Sequence, residues 1–581
     1  MSMNRIVRGF GAVAFLTVSG CHSLEISNPN EPDKNRALAD PAAIEAVASG
    51  TLRTWFIAWT PLRSAGTMSM QARTFSSSWN NGINNFYSGI DIGANDVQTP
   101  PDQWNRNTRS WQNDPAAAAR TSIEAAWGGG LDESAISRGG FYTALSAAND
   151  ALFAIRKNNV VIGDAANTKR AETIAALMQG AALASVAMYF DQGYVVDENT
   201  DLATLQYVSR KVLRDSAVSK LSQAAALASA NTFTTDATWT NGIAYTNTQI
   251  ARIANTLAAM TLAYYARDAA EAGTEVNWTT VQTLARSGMS SAETFSFIGD
   301  GCSAWCHEML VWMNSLDTGR LWTRVAHFLD PATQVDPFPL GVGNKQPNSA
   351  DKRLGDGSWA TASQVSGFGN VPKTANAGTD FAFSSQAIFR PDRGFYHQSN
   401  IGHVRYDLTG KNDPTGIYFG FGPAPVINGT LNDLILAEAD LRLGGAANIA
   451  DAATRINNTR VGRGGLAPAL AADLLGSPND GPCMSNLRLA KDGGACTLWS
   501  KLLYENEIEL LGLGAAPFFN QRHLPNLVST TWDPVAPKAR FIQGLLPGTP
   551  REMPVPAKEL GVKGQALYTF GGSSPDKSAT P

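Results

Sequence analysis

Between residues 140 and 271 the chain repeats one device: an Ala-rich apolar segment of helical period, then a short polar break. Residues 140–156 put Leu145, Ala148, Leu152 and Ile155 on one face. Residues 171–190 alternate large apolar side chains with alanine, and 212–229 and 244–271 continue the pattern. An apolar stripe at spacings of three and four must be covered by another helix. Small Ala surfaces let the two axes come close. A succession of such segments does not make a β-sandwich. It predicts stacked helix hairpins, a mainly α protein built as an α-α superhelix of the tetratricopeptide type, although no strict repeat is readable. Further helices are expected from Pro41 with Asp40 as N-cap, from Asn277 as N-cap, and over 429–443, 446–460 and 497–511.

The scaffold so defined covers about 41–63, 116–291 and 429–511. It is interrupted by two stretches rich in Gly, Asn, Pro and aromatics, about 64–115 and 292–428. These read as a loop-rich ligand-binding part, because long ordered loops in compact proteins are usually functional. The tail 572–581 reads as disordered. Lys+Arg 46 against Asp+Glu 50 is no basic excess, so a general nucleic-acid binder is not expected. A mean hydropathy of −0.15 excludes a multi-span membrane protein.

The N-terminus sets the compartment. Arg5 and Arg8 precede a short apolar core, Phe10 to Val18, which is too short to span a bilayer as a helix. Val18-Ser19-Gly20-Cys21 then resembles a lipobox, which implies a signal peptide over 1–20, cleavage before Cys21 and acylation of its thiol. An ordinary secretory signal with an incidental Cys is the alternative. Residues 21–40 read as a polar tether. Its Asn28, Asn30, Glu31 and Asp33 could hold a structural Ca2+ weakly, though solvation is the simpler account, and no cofactor is expected. With Cys21 used, Cys302, Cys306, Cys483 and Cys496 remain. An even remainder in an exported chain reads as two disulfides, and proximity favours 302–306 and 483–496. Cys302-Ser-Ala-Trp-Cys306-His307 also suggests haem attachment, but with three intervening residues and not the usual two.

Several segments in order carry a family resemblance: the lipobox; Tyr189-Phe190-Asp191-Gln192-Gly193-Tyr194; Asp351-Lys352-Arg353; Leu436-Ala437-Glu438-Ala439; Ile456-Asn457-Asn458-Thr459-Arg460; Tyr504-Glu505-Asn506-Glu507-Ile508-Glu509; and Met553-Pro554-Val555-Pro556 with Glu559-Leu560. Together they resemble the SusD/RagB nutrient-binding lipoproteins. Lys352 stands where that pattern has Pro. The segment 513–522 lacks the Glu and the Asp expected there, which puts in doubt any salt bridge they make. The resemblance implies a SusD-like domain over 41–571, anchored by lipid to the outer membrane and facing outward. It implies capture of nutrients, oligosaccharides foremost, for a SusC-like TonB-dependent transporter, and no enzyme activity.

The residues support binding on their own terms. Sugar C–H faces lie against aromatic rings, while amides and charged groups bond the hydroxyls. The first insertion supplies both in Trp79, Asn80, Asn81, Phe86, Tyr87, Trp104 and Trp111. Any one of these aromatics could equally anchor the loop to the scaffold. Trp305 and Trp312, seven apart in a segment read as helical over 304–316, are expected to share a face toward the core or the transporter. His397 and His403 lack a visible third metal ligand. Glu505, Glu507 and Glu509 cannot flank one glycosidic bond, since alternate residues on a helix point apart. An exported helical-repeat scaffold for envelope partners is the other reading.

Overall fold

The computed structural model describes residues 39–76, 121–129, 139–314, 319–334, 345–358, 373–385, 397–406, 408, 420–476, 496–524, 544–545 and 550–568. The expected tether up to residue 38, the tail, Cys21, Cys483 and the aromatic and amide set from Trp79 to Trp111 lie outside them.

The helices follow the predicted stripes. They are α1 (Pro41–Trp59), α2 (Phe141–Arg156), α3 (Ala165–Tyr189), α4 (Arg210–Ala230), α5 (Asn247–Tyr264), α6 (Trp278–Arg286), α7 (Gly429–Leu443), α8 (Ala446–Arg460), α9 (Leu498–Glu509) and α10 (Ala516–His523). Each from α1 to α9 packs on the next, so the path is the expected superhelix. Side-chain caps set the starts: Asp40 accepts from the Ala42 N–H at 3.0 Å, Asn277 from Thr280 at 3.1 Å, and Asn428 from Leu431 at 2.9 Å. The small-residue faces do bring axes together. A Cβ on Gly180 of α3 would stand 2.8 Å from the backbone nitrogen of Leu221 in α4. The helix α3 is apolar and long enough to cross a membrane, yet its apolar window is wholly buried among its neighbours.

Three expectations need correction. The stretch 244–271 is not one helix. The chain breaks after Tyr264, where buried Arg267 donates to the carbonyls of Tyr265, Ala187 and Phe190, and Asp268 caps a new helix, Ala269–Thr274. Among the described residues of 304–316 the helix is Glu308–Met313, so Trp305 and Trp312 share no helix. The first insertion begins as core, since Thr67–Gln71 is a buried helix reached through a π-turn.

The irregular half is held by β1 (Thr294–Asp300), antiparallel to β2 (Phe421–Asn428) with Phe297 opposite Ala424. β2 runs directly into α7. A second core of Leu321, Phe328, Leu354, Phe381 and Ile401 packs on Tyr504 and Ile508 of α9. Thus α9 serves both halves.

The charged motifs prove to be internal fastenings. Arg353 is fully buried and binds three carboxylates: Asp351 and Glu505 at 2.7 Å, and Glu509 at 2.7 Å. Glu507, on the other side of α9, takes Arg324 at 2.7 Å. Glu438 of α7 pairs with Arg442 and His523. Met553 donates to the Tyr189 carbonyl and accepts from the Asp191 N–H, while Glu559 accepts from the Tyr194 hydroxyl. Arg522, at the end of the segment 513–522, pairs with no carboxylate among the described residues. It donates instead to the carbonyls of Arg551, Met188 and Tyr264, and burial drives its pKa down.

Candidate functional site

Three clefts in the described residues could receive a small molecule; one, about 450 Å³, is lined by Arg405 and Arg463, which are held by Glu509 and Asp380, and two others remain. The larger, about 520 Å³, is lined by Trp127, Tyr142, Tyr194, Asp197, Glu198 and Glu559 among others. Most of its polar groups are spent. The Tyr194 hydroxyl is on Glu559, the Tyr142 hydroxyl is on the Tyr194 backbone, and Glu198 holds Arg156 and Gln179.

The second cleft, about 440 Å³, is within the usual range of roughly 300–1,000 Å³ for small-molecule sites. It lies where the first turns of the superhelix meet the irregular half. From α1 come Glu45, Ser49 and Arg53. Arg170 comes from α3, Asp236 and Trp239 from the turn before α5, and Trp305 from the loop after β1. Each is placed for a local reason. Glu45 and Arg53 are partly exposed positions of α1, whose Trp55 and Phe56 fill the core. Trp239 closes a 3-10 turn that Asp236 caps through the Thr238 N–H at 2.9 Å.

Trp305 is held by a closed loop. The Asp300 carboxylate accepts the N–H groups of Ser303, Ala304 and Trp305 at 3.0, 3.1 and 3.0 Å, and the Asp300 N–H returns to the Trp305 carbonyl. A Cys302–Cys306 disulfide closes the same loop, as proximity predicted, so neither thiol is free for haem. His307 is buried and caps the next helix through Nδ1, and desolvation lowers its pKa to about 3. One face of the Trp305 ring is stacked on Phe297 at 5.7 Å; the ring is half-buried and lines the cleft. Trp239 carries the Arg170 guanidinium over its ring at 4.9 Å.

The cleft is graded in charge. At the Trp239 end Arg170 is paired with Glu45 at 2.6 Å. Asp236 is held below the ordinary carboxylate range by the Thr238 N–H and hydroxyl. At the Trp305 end Arg53 donates only its Nε, to the Ala304 carbonyl at 2.8 Å. The arrangement offers an aromatic surface, indole N–H groups and a guanidinium fork to a polyhydroxylated ligand.

Trp239, Arg53 and Arg170 were not singled out from the sequence; the only signal was an aromatic in the polar run Thr234–Gly242. Cys496 is disulfide-bonded. His397 and His403 are buried and separated in role: His397 stacks on Trp322, and His403 contacts Phe381 and Tyr406. No group of three His, Cys, Asp or Glu able to hold a metal occurs among the described residues.

No protein-family profile and no curated protein matches the sequence. Solved structures do. A SusD homolog from Parabacteroides distasonis aligns with a TM-score of 0.53 at 13% identity, covering 90% of this chain and 93% of its own. A SusD superfamily protein from Bacteroides thetaiotaomicron aligns with a TM-score of 0.50 at 11% identity, covering 90% and 99%. The chain has the SusD-like fold.

Proposed function

We propose that this protein is a carbohydrate-capture protein of the cell surface, held to the outer membrane by lipid on Cys21 and passing oligosaccharides to a SusC-like TonB-dependent transporter. The observation that carries the reading is the cleft between Trp239 and Trp305 on a SusD-like scaffold. It combines an aromatic platform with unspent donors, the pairing that sugar recognition needs. The aromatic and amide set of the first insertion, Trp79 to Trp111, would add to the ligand-facing surface. The role is binding and not catalysis. Glu505, Glu507 and Glu509, the obvious carboxylate set, are locked onto Arg353 and Arg324 inside the protein.

Isothermal titration of the full mature chain against glycan, peptide and polyphenol panels tests this. Saccharide binding should appear and weaken tenfold or more in Trp305→Ala, about 1.4 kcal/mol. Silence of the native protein toward every saccharide, or binding unchanged in Trp305→Ala and Trp239→Ala, refutes the site. Retention of Cys21→Ala in membrane fractions would refute the anchor.

A further inference from the structure

We infer that the cleft recognises an acidic saccharide, one whose ring carries a carboxylate, with that carboxylate on Arg53. The inference rests on the capture reading above and adds the ligand's chemical class.

The charges at the two ends are treated differently. Arg170 has its own counterion in Glu45 and is further fixed over Trp239. Asp236 is at the exposed rim and is occupied by Thr238. Arg53 is half-buried and, among the described residues, has no carboxylate within 4.0 Å. Its one bond, from Nε to the Ala304 carbonyl, neutralises nothing but fixes the plane of the group. Both terminal amino groups are left for a ligand.

Position sharpens the argument. Glu45 and Arg53 are eight residues apart on α1, about 12 Å along the axis at ~1.5 Å per residue. The Glu45–Arg170–Asp236 group therefore cannot serve as Arg53's counterion at short range. Ala304, to which Arg53 is bonded, is the neighbour of Trp305. A ring lying on Trp305 places its substituents beside the guanidinium. A hydroxyl there would accept one bond and leave the charge uncompensated. A carboxylate accepts from the two terminal nitrogens and compensates it, the stronger arrangement in a partly desolvated cleft. The fixed Nε leaves this end-on fork as the available geometry.

The test uses the full mature chain and defined probes: trigalacturonate and triglucuronate, each beside its counterpart with the carboxylates reduced to primary alcohols. The acidic member of at least one pair should bind tenfold or more tightly than the reduced one, and the preference should shrink with added salt. Arg53→Gln should abolish the preference, the acidic and reduced members of each pair then binding alike. Arg53→Lys, which keeps the charge but not the fork, should retain part of it, and melting curves of both variants should match the native protein. Equal affinity for acidic and reduced sugars, or a preference that survives Arg53→Gln, overturns the inference and leaves capture standing. No binding to any acidic or neutral saccharide overturns the capture reading and this inference with it.

Discussion

Replacing Arg353 by Met would remove a buried cation while keeping much of its volume, and the structure says which of its three carboxylates suffers. Asp351 retains the Tyr504 hydroxyl at 2.7 Å and the Arg353 backbone N–H at 3.0 Å. Glu509 retains Arg405 and, at 3.0 Å, Arg463. Among the described residues Glu505 retains no cation nearer than Arg460 at 3.8 Å. The damage therefore concentrates on Glu505, whose pKa burial already raises above the ordinary 4.5 against the pull of Arg353. Breaking a buried ion pair costs about 3–5 kcal/mol. Protonation limits that cost. Neutralising Glu505 at pH 7 costs about 3.4 kcal/mol, from ~1.36 kcal/mol per unit between pH 7 and 4.5, and at pH 5 only about 0.7 kcal/mol. The sign follows: a carboxyl raised in the folded state contributes fully below its unfolded value and loses that contribution as pH climbs. Urea unfolding should show Arg353→Met weakened by about 3–5 kcal/mol at pH 7, much less at pH 5, and partly rescued at pH 7 by adding Glu505→Gln. A loss below ~1 kcal/mol at pH 7, or one that ignores pH, would refute the reasoning.

Gly180→Ala should destabilise by about 1–3 kcal/mol in the same assay, because the new Cβ meets Leu221 backbone, and overpacking outweighs the gain of up to ~1 kcal/mol in helix propensity; a neutral or stabilising result would contradict the close approach of α3 and α4. Cys302→Ser with Cys306→Ser should reduce stability by no more than about 2 kcal/mol for so short a loop yet weaken saccharide binding measurably by titration, since it loosens Trp305. Unchanged affinity would separate the disulfide from the site. His307 and His403, both lowered to about 3 by burial, should make the fold lose stability as pH drops below ~6.5, by about 2.7 kcal/mol each at pH 4.5. Denaturation curves superimposable at pH 7 and pH 4.5 would show that these imidazoles are not kept neutral.

The scaffold was legible because its information is local. An apolar stripe, an Asp or Asn cap and a polar break lie within one segment, so α1, α6 and α7 start where expected. The Cys302–Cys306 pair was legible for the same reason. What failed was decided at a distance. The helix expected over 244–271 ends because Arg267 reaches carbonyls on α3 and Glu552 near the far end of the chain. Trp305 looked helical from its spacing to Trp312, but the Asp300 carboxylate collects the N–H groups that a helix would need. The cleft was invisible because its residues sit on α1, α3, a turn and a loop. Arg53, read alone, is one more polar residue on the outer side of a helix.

The position of α9 has a consequence for how the chain is made. Its glutamates close onto Arg324 and Arg353, which precede them by 183 and 152 residues. Until that helix is in place, Arg324 lacks Glu507 and Arg353 holds one of its three carboxylates, Asp351, alone, so the irregular half cannot seal. The last fastenings of that half therefore wait for residues 498–509. A chain cut short ahead of residue 496 would be an unfinished object and not a smaller working one, a target for proteases and chaperones in place of the envelope.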